Sequence, residues 1–401
     1  MPASRPPTVL QVLPALVTGG VERGTVEITH ALVRAGWRAV VASSGGPMAH
    51  EVERAGGVHV TLPLRSKNPF TMRRNVGRLR QVIEDYEVDI VHARSRAPAW
   101  SAWAAARRSR RFFVTTFHNI YGGQTVWKRF YNSVMSKGAR VIAISRFVAE
   151  HAHRVYGVGR DRLRIIHRGV DLVRFDPEAI HPSRLIALAK EWRLVDGAGV
   201  IMLPARVTRW KGHMELLDAV ARLKRRDVQV LFVGNEQQRP DYRRELERRV
   251  SILGLDGLVH MVGNCRDMPA AYMLADVVVQ PSTEPEGFGR TAVEAQAMGR
   301  PMIATDHGGA RETVFPGETG WLVPPGDVQA LAQALSEALS LDAAARIELA
   351  HHSRAIMIAR FDSQLMCDAT LAVYSELLFP DQVNTLPIDG TDSMPPAGAE
   401  G

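Results

Sequence analysis

The feature that most constrains this chain is an alternation of short β-branched runs with helical patterns. It occurs in two successive series along the sequence. The first series of runs reads TVLQVL, RAVVAS, VHVTL, DIVHA, FFVTTFH and RVIAIS, with helical patterns from about residue 21 to 35 and from about residue 72 to 86. The second series begins at Gly199 and reads VIMLPA, VQVLFVG, LVHMVG, DVVVQPS and RPMIATD. Alternation at this rhythm predicts a parallel sheet covered by helices on both faces. We therefore expect an α/β chain with two doubly wound, Rossmann-like domains in tandem.

The two series also predict the domain limits. An N-terminal domain should span residues 1–178 and a C-terminal domain residues 179–360, and the segment from Asp171 to about Asp196 is the expected linker because it follows neither series. Residues 361–379 have a helical pattern and can pack back on the N-terminal domain. Residues 380–401 are polar, rich in Pro and Gly and without periodicity, so we expect them to be disordered. A ligand should bind in a cleft between the domains, beyond the carboxyl ends of the strands.

Composition limits the class of protein. With 46% hydrophobic and 23% charged residues, the 401-residue chain can bury ordinary cores. Its two cysteines, Cys265 and Cys367, are too few for a disulfide framework and lack the close Cys or His neighbours of a zinc site. No run of about 18 apolar residues is present, as a membrane-spanning helix would need. We expect a cytoplasmic protein whose contact with a membrane is peripheral.

Charge is distributed unevenly along the chain. Residues 1–185 hold 29 Lys and Arg against 13 Asp and Glu, whereas residues 186–401 hold 21 against 29. The first part therefore has a net charge of +16 and the second a net charge of −8. This asymmetry indicates an anionic partner for the first part, such as nucleic acid, an acidic lipid surface or a phosphorylated acceptor. Arginine used as an ordinary solvated surface residue explains the same imbalance.

The most specific motif is the loop TEPEGFG, which follows the predicted strand DVVVQPS and leads into a helix that begins at Arg290. Gly287 and Gly289 allow a backbone to approach a ligand closely. Unpaired backbone NH groups at a helix start favour an anion such as phosphate. Glu286 and Glu294 place two carboxylates beside that position, and a carboxylate can accept hydrogen bonds from sugar hydroxyls.

Three further loops follow predicted strands. In ARVTRWKGH, Arg206 and Lys211 place two cations where they could neutralise a diphosphate. Gly19 and Gly20 lie between the first strand and the first helix, where a tight turn is an equally good explanation. His118 ends the run FFVTTFH at a position typical of active-site residues, although a lone histidine is more often structural.

Together these motifs resemble those of the retaining glycosyltransferases of the GT-B fold, family 4 (glycosyl transferases group 1), whose E-x7-E motif reads EGFGRTAVE in this chain. The loop ARVTRWKGH is similar to the family's G-R-x-x-x-x-K-G, with Ala205 in place of the usual glycine. The resemblance extends from GGVERG through HRGVD to GETGWLVPPGD and omits only about the last 20 residues. In HRGVD, Arg168 replaces the usual asparagine beside Asp171, so no role is carried over to it.

The resemblance implies a role for each matching side chain. Glu294 would bind the ribose hydroxyls of a nucleotide, and Glu286 would contact the hydroxyls of the transferred sugar. His118 would contact the same sugar. Arg206 and Lys211 would neutralise the diphosphate as it departs, whereas the neighbouring Arg209 is expected to be solvated.

Backbone groups complete the implied donor site. The NH groups of Gly287, Phe288 and Gly289 would hold the sugar and diphosphate, with Thr291 near the phosphate. The loop containing Gly19 and Gly20 would let backbone amides approach the phosphate and the acceptor. The nucleotide base is expected to meet the backbone of a segment comprising Asn264, Cys265 and Arg266.

The implied reaction is transfer of a hexosyl group from a nucleoside diphosphate sugar to an acceptor hydroxyl, with retention at the anomeric carbon. A front-face path is expected, in which the departing phosphate accepts the acceptor's proton. No D-x-D triplet occurs in the sequence. We therefore expect metal independence, with no cofactor beyond the nucleotide-sugar co-substrate.

The acceptor should be selected by the basic N-terminal domain. We expect a lipid-linked or saccharide acceptor met at an anionic membrane surface, as in the synthesis of lipopolysaccharide or another cell-envelope polysaccharide or glycolipid.

Two other functions remain open from sequence. A sugar-nucleotide epimerase of the same architecture would interconvert donors without an acceptor. A basic nucleic-acid-binding protein would suit the pI of about 9.8, but no helix-turn-helix or aromatic-interleaved RNA motif supports it. We therefore expect no nucleic-acid partner.

Overall fold

A computed structural model of the chain describes residues 5–17, 19–122, 125–235 and 240–381. The chain divides into two compact units. The first unit contains the residues up to His167 together with those from Gln364 onward, and the second unit spans Arg168–Ser363. Nearly all of the tail that we expect to be disordered lies outside the described residues.

The first unit is built on a parallel sheet to which the described residues contribute seven strands, in the order β3-β2-β1-β4-β5-β6-β7. Its central strands are buried along their whole length, as expected when helices cover both faces. The strands are β1 Thr8–Val12, β2 Arg38–Ser43, β3 Val58–Thr61, β4 Ile90–Ala93, β5 Phe112–Phe117, β6 Arg140–Ala143 and β7 Leu163–Ile165.

Helices connect most of these parallel strands. The predicted helix near residues 72–86 begins earlier, at Pro69, because the side chain of Asn68 accepts hydrogen bonds from the Phe70 and Thr71 amides at 2.9 and 3.3 Å. The helices of this part of the chain are α1 Gly20–Arg34, α2 Ala49–Arg54, α3 Pro69–Asp85, α4 Arg96–Arg108, α5 Val126–Asn132 and α6 Arg146–Tyr156.

The second unit repeats this architecture with six parallel strands among its described residues, in the order β10-β9-β8-β11-β12-β13. The strands are β8 Gly199–Pro204, β9 Val228–Val233, β10 Val259–Gly263, β11 Val277–Gln280, β12 Met302–Thr305 and β13 Gly320–Val323. The helices are α7 Pro182–Glu191, α8 His213–Leu223, α9 Pro240–Ile252, α10 Met268–Leu274, α11 Arg290–Ala297, α12 Ala310–Thr313, α13 Val328–Leu339 and α14 Ala343–Phe361. The α/β fold class with two doubly wound sheets is thus confirmed.

The segment that we expected to be a linker differs from the prediction. It lies within the second unit and contains α7, which begins at Pro182 after a cap by His181. Arg184 of this helix forms an ion pair with Asp267, the cap of α10, at 2.6 Å. These contacts explain why the segment belongs to the second unit.

The last helix, α15 Ser363–Leu378, joins the core of the first unit. The hydroxyl of its buried Tyr374 lies 2.6 Å from His92 Nδ1, and His92 Nε2 lies 2.7 Å from the Thr116 hydroxyl. Burial would raise the pKa of Glu376 on the same helix, but hydrogen bonds from Arg140 and Arg164 hold that pKa below its usual range. The end of the chain is therefore an integral part of the first unit.

None of the helices that the structure describes has both the length and the apolar character needed to cross a bilayer.

Candidate functional site

The topology of the second sheet marks its carboxyl-terminal edge as a binding position. Strand order reverses between the neighbouring strands β8 and β11, because the chain runs outward from β8 through β9 in one direction and from β11 through β12 in the other. Loops that follow two such strands diverge to opposite faces and leave a crevice between them. The loops in question carry Lys211 and Glu286, respectively.

Close backbone contact holds these two loops together. Gly212 has a φ of +76°, and a Cβ placed on it would lie 1.8 Å from the backbone oxygen of Pro281. The Thr283 amide also donates to the Trp210 carbonyl at 2.8 Å. Only glycine combines this φ with so close an approach, so the glycine after Lys211 sets the spacing of the two loops.

Lys211 and Glu286 form an ion pair across this contact. Glu286 Oε1 accepts from Lys211 Nζ and also from the Ser282 hydroxyl at 2.7 Å. The two charged side chains are only 14% and 13% exposed. Two groups that we expect to bind diphosphate and sugar thus neutralise each other.

A third loop, which follows β12, supports Glu286 from the other side. The Gly309 amide donates to the Glu286 carbonyl at 2.8 Å. A Cβ on Gly308 would lie 2.5 Å from that carbonyl oxygen, and a Cβ on Gly309 would lie 2.5 Å from the Cα of Phe288. Successive glycines thus bring the backbone of this loop against the E-x7-E motif.

Glu294 is fixed on α11, which begins after Gly289 at a φ of +88°. The buried Tyr272 donates its hydroxyl proton to Glu294 Oε2 at 3.0 Å, and Arg290 donates to Oε1 at 3.2 Å. Burial, followed by the charge of Glu294, raises the pKa of Tyr272 well above its usual value. Tyr272 therefore remains a proton donor, and it orients the carboxylate.

The other candidate residues around this motif differ in which atoms they could offer to a ligand. The Phe288 ring is buried against Phe361, with centroids 5.7 Å apart, so only its backbone could meet a ligand. The Thr291 hydroxyl donates to Gln280 Oε1 at 2.8 Å, which leaves its oxygen as an acceptor. Gly287 lies in the same loop, between Glu286 and Phe288.

The remaining second-unit candidates follow other strands of the same edge. Arg206 comes after β8, is exposed, and has no ion pair with any described residue. Asn264, Cys265 and Arg266 follow the outermost strand β10, two positions from β8 and therefore about 10 Å away. Burial raises the pKa of the Cys265 thiol.

In the first unit, Gly19 caps α1 and Gly20 is its first residue. The preceding loop bonds to the loop after β2, where the Leu16 amide donates to the Gly45 carbonyl at 2.8 Å. A Cβ on Gly19 would lie 2.4 Å from Glu22 Oε2. Its φ of 174° is ordinary extended backbone, so the turn needs no left-handed residue at this position.

His118 follows β5, at the same carboxyl-terminal edge of the first sheet as Gly19. Its loop is held by Tyr121, whose ring is buried and stacks on Phe117 at 5.0 Å. The guanidinium of Arg96 lies 4.3 Å above the Tyr121 ring, and the Tyr156 hydroxyl donates to the Tyr121 carbonyl at 2.8 Å. The backbone after His118 is thus positioned by several side chains.

Sequence reasoning missed three residues of the second-unit site. Tyr272 and Ser282 bond directly to Glu294 and Glu286, and His213 lies beneath Lys211 at the start of α8. Tyr272 lies within an ordinary apolar helix pattern, and its partner is 22 residues away. His213, adjacent to the K-G pair in ARVTRWKGH, and Ser282, adjacent to the loop TEPEGFG, both carried a local signal.

No group of three or more His, Cys, Asp or Glu side chains arranged to hold a metal ion occurs in the described ranges.

We expect Gly212→Ala to lower the free energy of unfolding by more than about 2 kcal/mol, since its Cβ would overlap the Pro281 carbonyl as well as strain the backbone. Gly326→Ala is the matched control, because Gly326 has the same φ of +76° with nothing within 4 Å. Its cost should be about 1 kcal/mol. Urea unfolding measures both, and equal costs would show that the contact between the loops contributes nothing.

His213 predicts a pH dependence of stability. Burial lowers its pKa to about 4, and its ring packs on Phe232 with centroids 4.8 Å apart. Because the unfolded state binds the proton nearer pH 6.5, the stabilising contribution is complete above that pH and is lost as the pH falls towards 4. The loss should total about 3 kcal/mol.

The variant His213→Leu should remove this component, so that its free energy of unfolding changes less between about pH 7 and pH 4 than that of the unmodified chain. Urea unfolding at several pH values gives the difference. Parallel pH profiles for the two proteins would contradict the assignment to His213.

Comparisons with known proteins agree with this fold. Residues 198–341 match the family model for glycosyl transferases group 1, and residues 18–174 match that for Glycosyltransferase Family 4. A D-inositol 3-phosphate glycosyltransferase of Xylanimonas cellulosilytica is 31% identical over 306 residues, which cover 72% of this chain and 72% of that protein.

Solved structures agree as well. A glycosyltransferase from Rickettsia africae is 37% identical, with a TM-score of 0.87 over 94% of this chain and 100% of that one. Anabaena HepE, in complex with UDP and glucose, is 25% identical, with a TM-score of 0.81 over 92% of this chain and 99% of that one. The chain belongs to the glycosyltransferases of family 4, the glycosyl transferases group 1, with the GT-B fold.

Proposed function

We propose that this glycosyltransferase transfers a hexosyl group from a UDP-sugar to an acceptor hydroxyl and retains the configuration of the anomeric carbon. The observation that carries the proposal is the pairing of Lys211 with Glu286 beside the Tyr272-oriented Glu294, at the position where strand order reverses. Anabaena HepE, whose complex contains UDP and glucose, supports the choice of donor.

In the proposed donor complex, Lys211 exchanges its partner. The diphosphate carries more negative charge than one carboxylate, so Lys211 would turn to it together with the exposed Arg206. Glu286, released from Lys211 and still bonded to Ser282, would accept hydrogen bonds from hydroxyls of the transferred sugar. Glu294 would accept those of the ribose hydroxyls.

The bond from the anomeric carbon to the phosphate oxygen breaks as the bond to the acceptor oxygen forms on the same face. The acceptor's proton passes to the departing phosphate oxygen, so no protein base is required. Arg206 and Lys211 stabilise the charge that develops on the leaving diphosphate. Because these cations do what a divalent ion could do, the proposed reaction is metal-independent.

The other sequence candidates keep the roles that the family resemblance implies. Backbone amides of Gly287, Phe288 and Gly289 are proposed to contact the sugar and diphosphate, and Thr291 the phosphate. The base is proposed to lie near Asn264, Cys265 and Arg266. In the first unit, His118 is proposed to contact the transferred sugar, and the loop of Gly19 and Gly20 the phosphate and acceptor.

We further propose a lipid-linked or saccharide acceptor, in the synthesis of lipopolysaccharide or another cell-envelope glycan, met at the cytoplasmic face of the membrane. The support is an exposed aromatic and basic face on α5. Trp127 and Phe130 are 84% and 61% exposed and lie beside Lys128 and Arg129. Aromatic rings with flanking cations suit the boundary between acyl chains and anionic head groups.

The donor site is tested by thermal unfolding with UDP. At about 100 times its dissociation constant, UDP should add about 2.7 kcal/mol to the stability of the chain and raise its Tm by a few degrees. Lys211→Ala and Glu294→Ala should lose this shift. Arg209→Ala is the matched control, because Arg209 is adjacent to the site but is 68% exposed and paired with Glu245.

A full shift in both Lys211→Ala and Glu294→Ala would overturn the assigned donor site. Transfer itself is measured as release of UDP from a UDP-hexose that depends on added acceptor, and the anomeric configuration of the product is read by NMR. The rate should be unchanged by EDTA. Inversion at the anomeric carbon or loss of transfer in EDTA would overturn that part of the proposal.

Membrane docking is tested by co-sedimentation with vesicles at low salt. The chain should partition more to anionic than to neutral vesicles, and Trp127→Ser should reduce that binding severalfold. Val173→Ser is the control, because Val173 is similarly exposed, at 88%, but lies in the second unit, where the nearby Phe175 is buried. Equal partitioning of the unmodified chain to both kinds of vesicle would contradict docking.

A further inference from the structure

A cavity of about 360 Å³ opens at the amino-terminal edge of the first sheet, opposite the edge that carries His118. It is bordered by the starts of β5 and β6 and by the residue before β7. Strand β5 is six residues long, so about 20 Å separates the cavity from His118. A group bound here cannot take part in chemistry at the other edge of the sheet.

Four cations line this cavity, and no carboxylate is among its lining residues. They are Arg107 and Arg111 near the end of α4, Lys137 before β6, and Arg162 before β7. None of the four forms an ion pair with another residue in the part of the chain that the structure describes. Four like charges around one open space repel one another, and an anion between them would relieve that repulsion.

Two neighbouring arginines, on β6 and β7, differ from the cavity cations because they have an acidic partner. Arg140 of β6 and Arg164 of β7 both pair with Glu376 of α15, which offsets part of their charge within the fold. Lys137 and Arg162 lie only two or three residues before these positions and receive no such partner. Of these four residues, the two without an ionic partner are thus the two that line the cavity.

Three of the four cations are held in position. Lys137 Nζ lies 5.0 Å from the centroid of the Trp103 ring, and the guanidinium of Arg107 lies 5.7 Å from it. Arg162 Nη1 donates to the carbonyls of Ser136 and Gly138, each at 3.2 Å. The cations therefore surround an aromatic wall with a defined geometry and are less free than ordinary surface side chains.

We infer that this cavity binds a phosphate group, carried either by a soluble phosphorylated molecule or by a lipid head group. Guanidinium groups and an ammonium around one space match the charge and the several acceptor oxygens of phosphate better than those of a single carboxylate. The volume accommodates a phosphate with a small polar body, and the Trp103 ring provides a face for that body. The inference does not depend on the sugar-nucleotide site of the second unit.

The test compares two double variants of the full chain. Arg111→Gln with Lys137→Gln removes two charges from the cavity. Arg108→Gln with Arg110→Gln removes two exposed charges that are close to the cavity in sequence without altering its lining residues. Binding of inorganic phosphate is measured by calorimetry at low salt, and circular dichroism verifies folding.

We expect the cavity variant to bind phosphate at least about tenfold more weakly than the unmodified chain, which corresponds to the loss of one or two charge-assisted contacts. The control variant should bind it within about twofold. Equal weakening of phosphate binding in both double variants would overturn the inference. It would also be overturned if the unmodified chain neither bound phosphate saturably nor preferred vesicles that contain phosphatidic acid.

Vesicles distinguish the two sources of phosphate. Phosphatidylcholine vesicles with and without phosphatidic acid are presented to the same proteins. If the cavity variant alone loses the preference for phosphatidic acid, the occupant is a lipid head group. If phosphate binds saturably and vesicle binding is the same in both double variants, the occupant is a soluble phosphorylated molecule. The donor-induced thermal shift should persist in both double variants, so failure of this inference is distinct from failure of the proposed donor site.

Discussion

Backbone contact between three loops at one edge of the second sheet holds the donor-site side chains in place. Gly212 meets Pro281, and Gly308 and Gly309 meet the backbone at Glu286 and Phe288. Because each contact is too close for a Cβ, no side chain separates these loops and none can act as a flexible spacer. The positions of Lys211 and Glu286 therefore derive from main-chain geometry, which is stiffer than side-chain packing. A precise constellation of charges can be built this way on loops whose own residues form little regular structure.

The charged side chains at this edge are paired with one another. Lys211 and Glu286 are both largely buried, and either one alone would be costly to keep ionised there. The two side chains bond to each other, and Glu294 accepts hydrogen bonds from Tyr272 and Arg290. If the proposed function is correct, a sugar nucleotide replaces existing ion pairs and hydrogen bonds and does not have to order a disordered site. Little reorganisation is then left for the transition state, which favours electrostatic catalysis.

Sequence reasoning predicted the two sheets because their central strands are β-branched runs buried on both faces. It missed β7 and β13, since β7 has only three residues and β13 lies between Gly and Pro turns. It named Glu286, Glu294 and Lys211 from local motifs, but not the bond between Lys211 and Glu286, which are 75 residues apart. That bond depends on β8 and β11 being neighbours, and strand order is a property of the whole fold.

The return of α15 to the first unit has a consequence for how the chain acquires its structure. The first unit's core includes Tyr374, which is fully buried and bonded to His92, whereas the second unit is one continuous stretch of chain. During synthesis, the whole of the second unit is made before the last helix of the first unit. The first unit, whose synthesis begins first, is therefore completed after the second unit. Until α15 has been made, the surface that it buries stays open to chaperones.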